Sequence, residues 1–416
     1  MRSTSRQAVA PLRRSAYGSV SYPKKTKLMK HLIIIAATLL SLLGCRPAEE
    51  RSTDVLVAGG SSSGVAAALQ AARQGADVVL VSSHPWLGGM LTAAGVSATD
   101  GNHKLPSGIW GEFRQKLYDH YGGPQAAETG WVSNTFFEPH VGDSIFKAMA
   151  AQEENLEIVY NYRPTKVLRD GKQVTGLVFT GQDGSKLKVR ATLTIEATEL
   201  GDVMAMAGVP YSTGQDARQE TGEAQAPQQA TDIIQDLTYV AILQAYPENE
   251  DHTLPRPKNY DPGPFRCCCA EVCTDKKDLL ACDKLLTYGK LPNDKYMINW
   301  PNNGNDYYAN LTEMGQAQRK DALQKAKDET LSFIYFLQTE AGYKHLGLAR
   351  DEFPTPDNLP LIAYHRESRR MDGHVRLTLM DIKSPYQAPN GALYKTGIAT
   401  GDYPVDHHHT KYQIGR

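Results

Sequence analysis

Six consecutive residues, Gly59-Gly60-Ser61-Ser62-Ser63-Gly64, have the types and spacing to hold an anion. Glycines let the backbone turn tightly and bring its amides close to a ligand, and serines add hydroxyl donors. Three other stretches carry reactive side chains. "YHRESRR", residues 364–370, gathers Arg366, Arg369 and Arg370 around Glu367. The planar guanidinium fork suits a carboxylate, so Arg366 and Arg369 are candidate substrate-binding catalytic residues; the competing reading is an ion-pair network. "GDYPVDHHHTKY", residues 401–412, holds Asp402, Asp406 and three histidines, of which His407 is the candidate acid or base near neutral pH. Adjacent side chains diverge along an extended chain, so the three histidines do not read as a metal site. "CCCAEVC", residues 267–273, together with Cys282, lacks the C-x2-C-x2-C run of iron-sulfur segments. A disulfide from Cys269 to Cys273 or Cys282 is the expectation, with a 4Fe-4S cluster as the disfavoured alternative.

The elements around the glycine turn decide what it can hold. Asp54 to Ala58 is a short apolar run of the kind that forms a buried parallel strand. Val65 to Arg73 is alanine-rich and helix-forming, and Asp77 to Val81 is a second strand. Strand, glycine turn, helix and strand make the βαβ unit in which a pyrophosphate rests on a helix N-terminus. Gly59 and Gly64 take the first and third positions of G-x-G-x-x-G, with Ser61 at the second. Where an acid would bind a ribose hydroxyl stand Ser82 and Ser83. Losing a charge-assisted hydrogen bond costs roughly 1.5–3 kcal/mol, so a weaker grip is expected, not none. Residues 165–190 alternate like antiparallel strands turning at Asp170-Gly171 and Asp183-Gly184, followed by an apolar strand, Ala191 to Ile195.

Outside this region the chain bounds the function more loosely. Lysines precede the apolar run Leu32 to Leu43, which is too short to span a bilayer and ends at Gly44-Cys45. That pattern resembles a lipoprotein signal starting at Met29, with Cys45 lipidated, residues 45–53 as a tether and residues 1–28 an upstream extension. Lys plus Arg (45) nearly balances Asp plus Glu (46), so no strong field draws the protein to nucleic acid, and a small molecule is the expected partner.

"PWLGGMLTAAGVSATDGNHKLPSGIWGEFRQKLYDHYGG", residues 85–123, resembles the FAD-dependent oxidoreductases related to the flavin domain of heterodisulfide reductase. The similar branch is exported, and some of its members are labelled "xanthan lyase". The stretches 165–211, 295–311 and 364–382 extend the resemblance over nearly all of residues 54–409. The resemblance implies FAD as cofactor and an α/β fold: a doubly wound Rossmann-like domain with a β-meander over 54–208, carrying a helical insertion near 125–154. A substrate or cap domain over 209–390 and the start of a truncated C-terminal return over 391–416 would follow. It further implies that Gly88, Gly89, Met90 and Thr92 lie near the flavin ribityl chain. Val167 would be the adenine-side backbone contact, and Ala197, Thr198, Gly201 and Asp202 the return loop. The implied reaction moves a hydride or electron pair between a carbohydrate-derived or carboxylated substrate and flavin, with an unspecified electron acceptor. Two rivals are a non-catalytic surface binding module on a nucleotide fold and an iron-sulfur electron-transfer protein.

Overall fold

The computed structural model describes residues 48–105, 107–384, 397 and 408. The expected lipoprotein signal, Cys45 and His407 lie outside the described residues, as do 385–396 and most of the final twenty. Strand β1 runs Glu49–Ala58, so Glu49 to Thr53 are not a tether. They extend the ladder, pairing in parallel with Leu187 to Ala191. Ion pairs of Glu50 with Lys188 and Arg190 hold this polar half in place, which hydropathy alone does not signal.

Helix α1, Ser62–Arg73, follows the glycine turn and buries Gly64, Val65, Ala68, Leu69 and Ala72, one face at helical spacing. Gly75, just past its Gln74 C-cap, has a φ of +89° that favours glycine. Strand β2, Val78–Val81, then pairs in parallel with β1. Before the next strand come α2, Gly108–Tyr121, and α3, Pro139–Ala150, so helical structure begins earlier than the expected insertion. Phe113 of α2 stacks on Phe146 of α3 with ring centroids 4.3 Å apart. Strand β3, Leu156–Val159, adds in parallel beside β2.

The meander is β4 (Tyr162–Asp170), β5 (Gln173–Gly181) and β6 (Lys186–Glu196), giving a six-stranded sheet in the order β3-β2-β1-β6-β5-β4. The third meander strand and the apolar return strand are one continuous β6, antiparallel to β5 and parallel to β1. Side chains alternate across the sheet. Val55, Val57, Val78 and Leu80 pack on the three helices, whereas Leu56, Ala58, Val79 and Val81 pack on Leu177, Phe179, Leu187 and Val189. The meander therefore covers the face opposite the helices.

Residues beyond β6 build a second core. A four-stranded antiparallel sheet includes Ala241–Ala245, Lys295–Ile298 and Leu346–Leu348. After the short helix α4 (Asp202–Met206), the long helix labelled α5, Gln316–Thr339, buries Ala322, Ala326, Thr330, Phe333 and Leu337 on one stripe. Disulfides join Cys267 to Cys273 and Cys269 to Cys282. The Cys269–Cys273 option is thus not taken, and four of the five thiols a cluster would draw on are committed. Cys268 is free and buried, its thiol pushed up to about 12 by that burial. A third cluster, with Trp86 and Phe136 from the first part and Val240, Met297 and Phe353 from the second, welds the two, and Ala48 onward is one compact unit. Among the described residues no helix is long and apolar enough to cross a membrane.

Candidate functional site

Sequence and packing fix the glycine turn tightly. Gly59 has φ +124°, and a Cβ there would sit 2.0 Å from the Ala197 carbonyl oxygen, so only glycine lets β1 meet the end of β6. A Cβ on Gly64 would lie 2.2 Å from the Gly59 oxygen, which is the close helix–strand approach of a dinucleotide turn. Ser61 is the N-cap of α1: its hydroxyl accepts from the Gly64 amide at 3.1 Å. The second glycine position is filled by a side chain that is turned into the cap. First-turn amides have no intrahelical acceptor, so α1 presents an anion site.

The Gly88-Gly89 pair crosses directly over this turn. The Gly88 amide donates to the Gly60 carbonyl at 2.8 Å, and the Ser62 hydroxyl donates to the Gly88 carbonyl at 2.6 Å. Both glycines have positive φ, +105° and +51°. Met90 is exposed, whereas Thr92 is buried and its hydroxyl donates to the Leu87 carbonyl, which closes the loop from inside. Ser82 behaves similarly. It is fully buried and donates to the His84 carbonyl at 2.8 Å, so its hydroxyl shapes the turn after β2 and only Ser83 faces outward.

A cavity of about 560 Å³ opens beside the turn. Gly59, Gly60, Ser83, Ala197 and Thr198 line it, with Arg163 and Pro164 from the start of β4 and Arg319 and Lys320 from α5. Val167, the expected adenine-side contact, pairs with Leu177 inside the meander and is not among the residues lining this cavity, which Arg163 and Pro164 of the same strand reach. Burial lowers His84 and His365, which also line the cavity, to about 4, so both are neutral near pH 7. A second cavity of about 580 Å³ shares Ala197 and Thr198 and adds Ser63, Gly201 and Arg369. A cradle of amides at a helix start, a glycine approach and basic side chains across the cleft fits a dinucleotide diphosphate.

Beyond the return loop the charged residues are committed to one another. Gly201, φ +67°, precedes α4, and the Asp202 amide donates to the Thr198 hydroxyl at 2.9 Å. The Asp202 carboxylate accepts two hydrogen bonds from Arg319, at 2.7 and 2.8 Å, and one from Arg369 at 2.9 Å. Burial raises the Asp202 carboxyl, but the two arginines outweigh it and hold it below the ordinary aspartate range. Arg369 also donates to the Leu200 carbonyl at 2.7 Å and to the Thr312 carbonyl. Arg366 lies 3.2 Å from both Asp236 and Asp306, and its side chain is 5% exposed. His408 Nδ1 is 3.3 Å from the same two carboxylates. Burial lowers the His408 imidazole, yet those carboxylates raise it to about 9 overall. Both expected substrate-binding forks thus meet internal carboxylates first, because a buried guanidinium needs a counter-charge. Arg163, the basic face of α5 and Glu199 carry no motif that marks them in the sequence, except that Glu199 is an acid inside the return-loop segment Glu196 to Asp202.

Such a fold and turn define a dinucleotide-binding α/β protein. The chain belongs to the FAD dependent oxidoreductase family, whose model matches residues 54–415. No curated protein matches it in sequence. Among solved structures it is similar to L-proline dehydrogenase from P. horikoshii, at 17% identity and TM-score 0.23, over 38% of this chain and 24% of that one. It is also similar to p-nitrophenol 4-monooxygenase PnpA from Pseudomonas putida DLL-E4, at 13% identity and TM-score 0.32, over 78% and 66%. A third is the geranylgeranyl bacteriochlorophyll reductase-like protein from Thermoplasma acidophilum, at 16% identity and TM-score 0.28, over 48% of each chain. The match spans about a quarter of the proline dehydrogenase and half of the reductase-like chain. These likenesses are low, and the family rests on its own model.

Proposed function

We propose that the protein is an exported, lipid-anchored flavoenzyme that moves a hydride or electron pair between FAD and a small carbohydrate-derived or carboxylated compound, with a separate electron acceptor. The carrying observation is the serine-capped start of α1, crossed by Gly88-Gly89 and directly following Gly59 and Gly60, which line the cavity. FAD, when bound, supplies the redox chemistry. The chain's part is to hold it. The first-turn amides of Ser62 and Ser63 and the end of the helix dipole neutralise the diphosphate, while the Gly64 amide is held by the Ser61 cap. Gly59, Gly60, Ala197 and Thr198 form the wall that the nucleotide lies against, and Ser83 and Arg163 line the same cavity. Asp202 with Arg319 and Arg369 clamps the return loop to α5 and so fixes that wall. The two disulfides favour an oxidising compartment, in keeping with the apolar run and Cys45.

Anaerobic incubation of the purified yellow protein with candidate sugars and sugar acids tests the reading: bleaching of the flavin band by one of them supports it. A protein that holds FAD which no such compound reduces favours the binding-module rival, to which the internal commitment of Arg366 and Arg369 also points.

A further inference from the structure

Glu199 lies in the return loop between β6 and α4, lines the nucleotide cavity and takes no part in the ion pairs of that loop. A Cβ placed on Gly89 would stand 2.5 Å from Glu199 Oε1 and 2.8 Å from Ser61 Cα. The carboxyl, the Gly89 backbone and the N-cap of α1 therefore meet at one point, where the diphosphate of a dinucleotide approaches the helix. Three different chain segments converge there. The end of β2 meanwhile offers only Ser83, since the Ser82 hydroxyl is turned inward.

We propose that Glu199 is a cofactor-binding residue whose protonated carboxyl donates a hydrogen bond to the FAD diphosphate at the start of α1. The inference rests on the reading that FAD occupies this cavity. A carboxylate in that position would repel the diphosphate across a few ångströms of low-dielectric space, whereas the neutral acid is a donor. Burial alone pushes the Glu199 carboxyl up to about 7, so the acid form is at hand near neutrality. An anion beside it raises the group further, and FAD binding then takes up a proton whenever Glu199 starts ionised. Other charged or titratable side chains facing the cavity are His84, Arg163, Asp202, Tyr239, Arg319, Lys320, Lys327 and His365, and burial moves the Tyr239 phenol further above its ordinary value. His84 and His365 are held neutral at about 4, and Asp202 is held ionised by its arginines, so none of these three titrates near pH 7.

Affinity is highest below pH 7 and falls as pH rises through the free-protein value of Glu199. With that value near 7 and the complex well above it, FAD binds about tenfold more weakly at about pH 8 than at about pH 6. The test is a set of fluorescence titrations of the full chain, parent, Glu199→Gln and Glu199→Ala, with FAD, ADP and adenosine across that range, each variant first shown to melt like the parent. The parent should show the tenfold loss with FAD and ADP but not with adenosine, which has no diphosphate. Glu199→Gln, a donor at every pH, should give a flat profile near the parent's low-pH affinity. Glu199→Ala should be flat and weaker, by about tenfold at low pH. A flat parent profile, or a Glu199→Gln profile with the parent's slope, overturns the proposal while leaving the cavity's occupant standing. A parent that binds neither FAD nor ADP at any pH overturns the occupancy reading itself, and this inference with it.

Discussion

Lys295 offers the sharpest stability experiment. Its side chain is 2% exposed, and Nζ stands 2.9 Å from Glu138, 2.9 Å from Glu352 and 3.0 Å from Asp351. Glu138 and Glu352 are themselves buried, and His140 makes a second ion pair to Glu352 at 2.9 Å. Burial pushes the Lys295 ammonium down, but the carboxylates overcome this and hold it above the ordinary lysine value. In Lys295→Met two buried carboxylates lose their shared counter-ion. Breaking one partner of a buried pair costs about 3–5 kcal/mol. With about 2.1 cal/mol/K per residue of unfolding entropy, a body of about 370 residues shifts by about 1 °C per 0.8 kcal/mol, so the midpoint should fall by about 4–6 °C. Differential scanning calorimetry reads this, and the triple variant with Glu138→Gln and Glu352→Gln should recover most of the loss. The deficit should shrink as pH falls through the carboxylate range and the orphaned acids protonate. The perturbed cluster lies one helix from the cofactor turn: Glu138 stands at the N-cap position of α3, whose Asp143 accepts from the Leu87 amide at 2.8 Å just before Gly88. A Lys295→Met midpoint within a degree of the parent's would refute the reasoning.

Three further outcomes are expected. Gly59→Ala should unfold several degrees earlier in a thermal melt and lose FAD, since its Cβ has only 2.0 Å to the Ala197 oxygen. Arg369→Gln should cost about 1.5–3 kcal/mol in urea unfolding, through the lost charge-assisted bonds to Asp202 and two carbonyls, with Arg319 keeping Asp202 ionised. Cys282→Ser should lower stability by about 3 kcal/mol, as expected for opening a loop of this span, and the reductant-treated parent should lose at least as much.

Much of the first 150 residues of the body was legible, for reasons that are local. A β-branched run stopping at glycine, an alanine-rich helix and Asp-Gly turns each obey short-range rules, and all of them recur in the folded chain. Three features were not legible. The polar half of β1 is held by partners at residues 188 and 190, so its strand character is a tertiary property. Ser82 and Ser83 look alike in sequence, but alternation after β2 buries one and exposes the other. Arg366 and Arg369 present a substrate-like fork in one dimension, while in three their carboxylates arrive from Asp202, Asp236 and Asp306. Glu199 is the converse: an unremarked acid in the sequence that folding brings against the N-cap of α1.

That N-cap is also where the reading as a cofactor-binding protein stands or falls. Ser61→Asp keeps a side-chain acceptor for the Gly64 amide, and so preserves or improves the helix cap, while setting a fixed negative charge where the diphosphate must lie. Titration of both proteins with FAD should give an unchanged or higher melting temperature and an affinity at least about tenfold lower in the variant. Equal affinity in two equally folded proteins would contradict the placement of the cofactor on α1.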